Sequence, residues 1–130
     1  MVSLTLEQIL QLHALVLVKD GGAGGVRDIG RLEAVVSVQH QVVFGEELYA
    51  TVFTKAAALM RGIIGDHPFV DGNKRTAMLA GLTLLEVNGY GFVARRGELE
   101  DFAVGVATDH LDIDAIADWL KRHSQDVSMI

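Results

Sequence analysis

The chain has no cysteine and a single proline in 130 residues. Without cysteine there is no disulfide framework, no thiolate nucleophile and no cysteine-based zinc site. One proline, with an apolar fraction of 50%, argues for an ordered, helix-rich globule rather than a disordered chain. An excess of positive charge is also missing. The formal net charge is −6, which disfavours direct nucleic-acid binding through groove or backbone contacts. No apolar run reaches the ~18 residues of a membrane span. The start, Met1-Val-Ser-Leu-Thr5, lacks the basic and then apolar pattern of a secretion signal. The expectation is a cytoplasmic protein with neither a nucleic acid nor a membrane as partner. The length fits one domain over residues 1–130, large enough to bury roughly two-thirds of its unfolded surface without a staple.

What the chain does have is concentrated in Asp66–Asn88. From Thr76 to Val87 only Glu86 is charged, and Gly89 follows as a stop. A helix apolar on nearly every side belongs in the middle of a fold. Just before it, His67, Asp71, Asn73, Lys74 and Arg75 crowd into nine residues. Asp71 is a good N-cap residue. As the cap it would leave the backbone N–H groups of Gly72, Asn73 and Lys74 free, and free N–H groups at the positive end of a helix make an anion site.

Around this centre the spacing predicts further helices and no convincing set of strands, hence an all-α class. Thr5 and Gln8 form a capping box, followed by a stripe of Leu6, Ile9, Leu10, Val16 and Leu17. His13 falls in that stripe and reads as a histidine at the edge of the core. Residues Asp20–Asp28 include four glycines in five positions and read as a mobile loop or substrate-docking flap. They lack the Gly-Lys-Ser/Thr ending of a P-loop and follow a helix, so they are no dinucleotide fingerprint. A second helix is expected over Ile29–Gln41, with Leu32, Val35, Val36 and Gln39 on one face, broken by Phe44-Gly45. A third is expected over Glu46–Ile64, ending at Gly65. Tyr90–Ala94 reads as a short extended piece and Arg95-Arg96 as a solvated turn. A fifth helix follows over Gly97–Thr108 and a sixth after the cap Asp112. The tail Ser124–Ile130 has no pattern and reads as frayed.

The residues before the central helix carry chemistry. His67 precedes Pro68 and is biased towards extended geometry. It can serve as a general base or as a metal ligand. Asp71 is an oxygen ligand suited to Mg²⁺, which takes one or two carboxylates together with substrate phosphates. Asn73 can donate to a phosphate, Lys74 offers a point charge and Arg75 a two-pronged fork. Each has a structural explanation alone: a loop histidine, a plain cap, a solvated first turn. The combination points to a Mg²⁺–nucleotide site of the kind used in phosphoryl or nucleotidyl transfer. An EF-hand does not fit, because the position eleven after Asp66 is Ala77. The other histidines, His13, His40, His110 and His123, show no ligand spacing for zinc.

His67-Pro-Phe-Val-Asp-Gly-Asn-Lys-Arg75 resembles the Fic/Doc motif, His-x-Phe-x-(Asp/Glu)-(Gly/Ala)-Asn-(Gly/Lys)-Arg, at every defining position. Gly25-x-Arg27-Asp28-x-Gly30-x-Leu32-Glu33, Tyr49, Lys55–Leu59 and Asn88-Gly-Tyr90 are similar to the death-on-curing, or Doc, branch. The resemblance implies an all-α Fic-type bundle of about six helices around a buried central helix, roughly residues 72–88. By position it implies His67 as general base, Phe69 as anchor of the loop, Asp71 as the Mg²⁺ ligand, and Gly72, Asn73, Lys74 and Arg75 as the groups that hold the phosphates of ATP. Met78 stands where classical Fic adenylyltransferases carry a second arginine, and Lys74 replaces their second glycine. Both are Doc-like and imply transfer of the γ-phosphate to a protein hydroxyl. In the family that hydroxyl is a threonine of elongation factor Tu, and the consequence is arrested translation in a prokaryotic cytoplasm; the composition shows nothing of that target. AMP transfer by the same site and a catalytically weak binding module are the alternatives. The inhibitory Ser/Thr-x-x-x-Glu-(Gly/Asn) pattern of many Fic proteins has no good match, since Ser3–Gln8 ends in the wrong residue. The resemblance therefore implies a separate brake, a Phd-like antitoxin with a segment that folds on binding.

Overall fold

A computed structural model describes residues 1–95 and 97–128. Arg96 of the expected basic turn, and Met129 and Ile130 of the tail, lie outside the described residues. The fold is mostly helical. Its helices are α1 (Leu6–Asp20), α2 (Ile29–Ser37), α3 (Val52–Asp66), α4 (Asn73–Val87), α5 (Glu98–Thr108) and α6 (Ile113–Arg122).

α4 is the central helix. Thr76, Ala77, Met78, Ala80, Gly81, Leu84 and Leu85 are all buried along it, as its composition requires. Its main partner is α3, whose buried face runs from Val52 through Ala56–Met60 to Ile63 and Ile64. Alanines on α3 and the Ala80-Gly81 pair on α4 let the two backbones come close. A Cβ at Gly81 would land on the Met60 sulfur and 2.7 Å from Met60 Cγ. Met60 is itself completely buried and has nowhere to swing. Gly81→Ala is therefore expected to destabilise: overpacking costs roughly 1–3 kcal/mol against about 0.5–1 kcal/mol gained in helix propensity. Thermal unfolding would show it as a lower Tm, and a raised Tm would mean that Met60 yields to the added methyl.

α1 begins at the Thr5/Gln8 capping box and ends at Gly21, with φ of 76°. It packs across α4, while α6 covers α3 through Ile116, Ala117 and Leu120. Asp112 caps α6 by accepting from the Ala115 N–H.

Three local expectations are corrected. α2 stops at Ser37, and a 3₁₀ turn, Val38–His40, replaces its last residues. There the buried Gln39 side chain exchanges two hydrogen bonds with the Leu4 backbone, at 2.9 and 3.1 Å. α3 begins at Val52 rather than Glu46, because Thr51 and Thr54 form a capping box. The residues before it fold into a hairpin, β1 (Val42–Val43) against β2 (Glu46–Glu47). Phe44 and Gly45 turn it with positive φ at both positions, the tight turn that suits twisted strands. Lys55 of α3, almost fully buried, holds the hairpin base through Glu47 at 2.9 Å. The tail also departs from expectation: β4 (Ser124–Asp126) pairs antiparallel with β3 (Tyr90–Phe92), so the extended piece after α4 finds its partner there.

Candidate active site

α3 ends by turning left-handed at His67, with φ 47° and ψ 58°, while the His67 N–H still reaches the Ile63 carbonyl at 3.2 Å. This corrects the extended geometry expected of a residue before proline. The helix-terminating hydrogen bond, and a guanidinium on the carbonyls beyond it, outweigh the local bias. Arg27 Nε donates to the His67 carbonyl at 2.7 Å and its Nη2 to the Asp66 carbonyl at 2.7 Å. The His67 side chain is exposed.

The loop then dives into the core. Phe69 is 1% exposed and its ring stacks on His13, with centroids 3.8 Å apart. The buried Asn73 side chain closes the loop from the other end: its Oδ1 accepts from the Phe69 N–H and its Nδ2 donates to the Phe69 carbonyl, both at 3.0 Å. One Nδ2 hydrogen is left over after that clamp. The buried His13 also donates from Nε2 to the Asp71 carbonyl, at 2.8 Å. The helical stripe placed His13 inside, but spacing alone carried no signal of this bond to a loop 58 residues on.

The start of α4 lies one residue later than expected. Gly72, left-handed at φ 78°, is the N-cap and makes no side-chain cap. Asp71 instead turns its carboxylate outwards. Its Oδ1 accepts from the Gly72 N–H at 2.9 Å and its Oδ2 from the Ala23 N–H at 3.3 Å. The Gly72 N–H is thus occupied. The first intrahelical bond runs from the Thr76 N–H to the Gly72 carbonyl at 3.0 Å. Among the described residues the N–H groups of Asn73, Lys74 and Arg75 meet no acceptor. They form the open positive end of a helix of 15 residues. Lys74 is exposed and makes no ion pair among the described residues; Arg75 Nη1 lies 3.4 Å from Asp20 Oδ2. Met78, one turn further, is buried in the core.

The end of the glycine-rich stretch is tied to the site. It runs antiparallel to the loop between α3 and α4. Val26 bridges Phe69, the Val70 N–H donates to the Gly25 carbonyl at 3.1 Å, and the Arg27 N–H donates to the Pro68 carbonyl at 2.7 Å. Within the stretch, Gly22 serves a close approach. At Gly22, with φ 118°, a Cβ would stand 2.8 Å from Asp71 Oδ2.

On its other flank His67 lines a cavity of about 510 Å³. Val38, Tyr49, Ile64, Asp66, Val106 and His110 share its wall, but none of residues 71–75 does. Asp71 exposes a carboxylate that could take part in holding a metal, and no cluster of three or more His, Cys, Asp or Glu side chains forms a metal cage among the described residues. A metal held here would complete its shell with water and phosphate oxygens. That suits Mg²⁺ and does not suit zinc.

The chain was compared with known proteins. The Fic/DOC family model matches residues 3–85. A protein named Toxin Doc from Mycolicibacterium smegmatis is 41% identical over 99 residues, covering 75% of this chain and 76% of the relative. A protein named Protein kinase doc from Escherichia phage P1 is 37% identical over 119 residues, covering 89% of this chain and 90% of the relative. The chain belongs to the Fic/Doc family, and within it stands with the Doc proteins.

Proposed function

We propose that this protein is an ATP- and Mg²⁺-dependent toxin kinase that transfers the γ-phosphate to a protein hydroxyl. The observation that carries the reading is one loop that presents both His67 and the open N-terminus of α4. The unpartnered N–H groups of Asn73, Lys74 and Arg75, with the side chains of Lys74 and Arg75, hold the phosphates. Gly72 lets the backbone approach them, and Asn73 offers its remaining amide hydrogen. His67 takes the proton of the acceptor hydroxyl as its oxygen bonds to Pγ. The bond from Pγ to the bridging oxygen breaks, and ADP leaves with that electron pair. Mg²⁺, when bound at Asp71, neutralises phosphate charge. The cavity beside His67 gives an acceptor side chain a way in. The buried Met78 leaves no second guanidinium one turn below Arg75, which favours γ-phosphate transfer over AMP transfer. The relative named a protein kinase supports the same choice.

The relative named a toxin supports the biological half of the reading. The acceptor is a threonine of elongation factor Tu, the result is blocked translation in a prokaryotic cytoplasm, and a Phd-like antitoxin that folds on binding restrains the enzyme. The test is label transfer from ATP labelled at the α or the γ position to a bacterial cytosolic extract with Mg²⁺. Label from the γ position alone, on one abundant protein, is the expected result. Label from the α position would mean AMP transfer, and no transfer would leave a binding module.

Gly22→Ala probes the proposed metal ligand without replacing it. The added methyl would displace the Asp71 carboxylate, which stands 2.8 Å from where it must go. The Mg²⁺ concentration for half-maximal activity should rise about tenfold, the equivalent of roughly 1.4 kcal/mol. An unchanged Mg²⁺ requirement would mean Asp71 is not the ligand.

A further inference from the structure

We propose that Arg27 is the positioning residue for His67. The inference rests on the reading of His67 as the general base. Three successive carbonyls leave α3 at its C-terminal end, and all three are held by Arg27. Its Nη2 takes Asp66 and its Nε takes His67, each at 2.7 Å, and its backbone N–H takes Pro68, also at 2.7 Å. Arg31 adds a longer bond of 3.4 Å to Asp66. The last carbonyls of a helix have no partner within it and form its negative end, so a guanidinium is the complementary cap.

The conformation being held is an unusual one. His67 is neither glycine nor asparagine, yet its φ is 47°, and it precedes a proline. Such a residue persists only when its surroundings over-determine it. Below it the Ile63 hydrogen bond fixes the N–H side. Above it Arg27 fixes the carbonyl. Together they set the direction in which Cα–Cβ, and so the imidazole, leaves the backbone. A lysine cannot replace this contact, because one ammonium on a flexible stem does not reproduce a planar fork across two carbonyls. Arg27 is supplied by the glycine-rich stretch, which gives that stretch a role in the reaction with no contact to substrate.

Three readouts on the full chain test this. In γ-label transfer to cytosolic extract, Arg27→Gln and Arg27→Lys should each lower the apparent kcat by about 10–10²-fold, the penalty of a misplaced reacting group. The apparent KM for ATP should stay within about twofold. In a His67→Ala background Arg27→Gln should cost nothing more, because Arg27 acts only through His67. In the free protein, the NMR resonances of the His67 imidazole should move in Arg27→Gln while those of His13 and His123 stay put. Unmoved His67 resonances overturn the proposal whatever the activity does. A rise in KM in place of the fall in kcat also overturns it, since Arg27 would then be touching the nucleotide. Resonances that move with no loss of rate uphold the clamp and instead sink His67 as the base. Lost activity in His67→Ala with unmoved resonances in Arg27→Gln would do the reverse.

Discussion

His67→Ala is expected to lower γ-label transfer by about 10²–10⁴-fold, the usual contribution of a positioned general base, and to abolish toxicity in cells. The reason the effect can be read cleanly lies in the surroundings. The imidazole is exposed, so its removal leaves no cavity. The two backbone bonds that hold residue 67, one from its own N–H to Ile63 and one from Arg27 to its carbonyl, involve no side-chain atom of His67. Alanine keeps them. The left-handed φ of 47° strains alanine as it does histidine, so thermal unfolding of the variant should match the parent within about 1 kcal/mol, and lost activity would report on chemistry. Toxicity unchanged in this variant would end the enzyme reading altogether.

Asp71→Ala is expected to remove activity by about 10²–10³-fold, together with its Mg²⁺ dependence. Metal-borne charge stabilisation is worth several kcal/mol, and each 1.36 kcal/mol is tenfold in rate. Part of the loss would be positional, because the carboxylate also accepts from the Gly72 and Ala23 N–H groups. Asp71→Asn separates the two contributions. It keeps an oxygen for one of those bonds and loses the charge, so it should fail nearly as badly if the metal is the main role. A variant still stimulated by Mg²⁺ would place the metal elsewhere.

The helices that were legible in the sequence are those decided by neighbours in the chain. Thr5 and Gln8 cap α1 and Asp112 caps α6 through bonds spanning three residues, so a local pattern suffices. The burial of α4 was legible too, because a helix with one charge in twelve residues can only be inside. The groups proposed for the site were visible for the same reason: a histidine, a carboxylate and two cations fall within nine residues.

What the tertiary structure alone decided depends on residues far apart. Apolar spacing over Leu48–Ile64 extends a helix backwards to Glu46; the Thr51 capping box that starts it at Val52 is a local signal which that spacing masks, whereas Lys55, bonded to Glu47 and to the Gln39 carbonyl, holds the hairpin before it only in the folded chain. Asp71 is an excellent N-cap by type. Yet the Ala23 N–H, 48 residues away, draws its carboxylate outwards, and Gly72 takes the capping position. Four glycines read as freedom in a chain seen alone. Folded, Gly22 is what allows the backbone to lie against Asp71, and the stretch carries Arg27 to His67, 40 residues on. The sequence by itself determined which groups the candidate site can offer, because side-chain chemistry and short-range caps are local. Their directions were settled only by long-range hydrogen bonds, whose partners no local pattern can name.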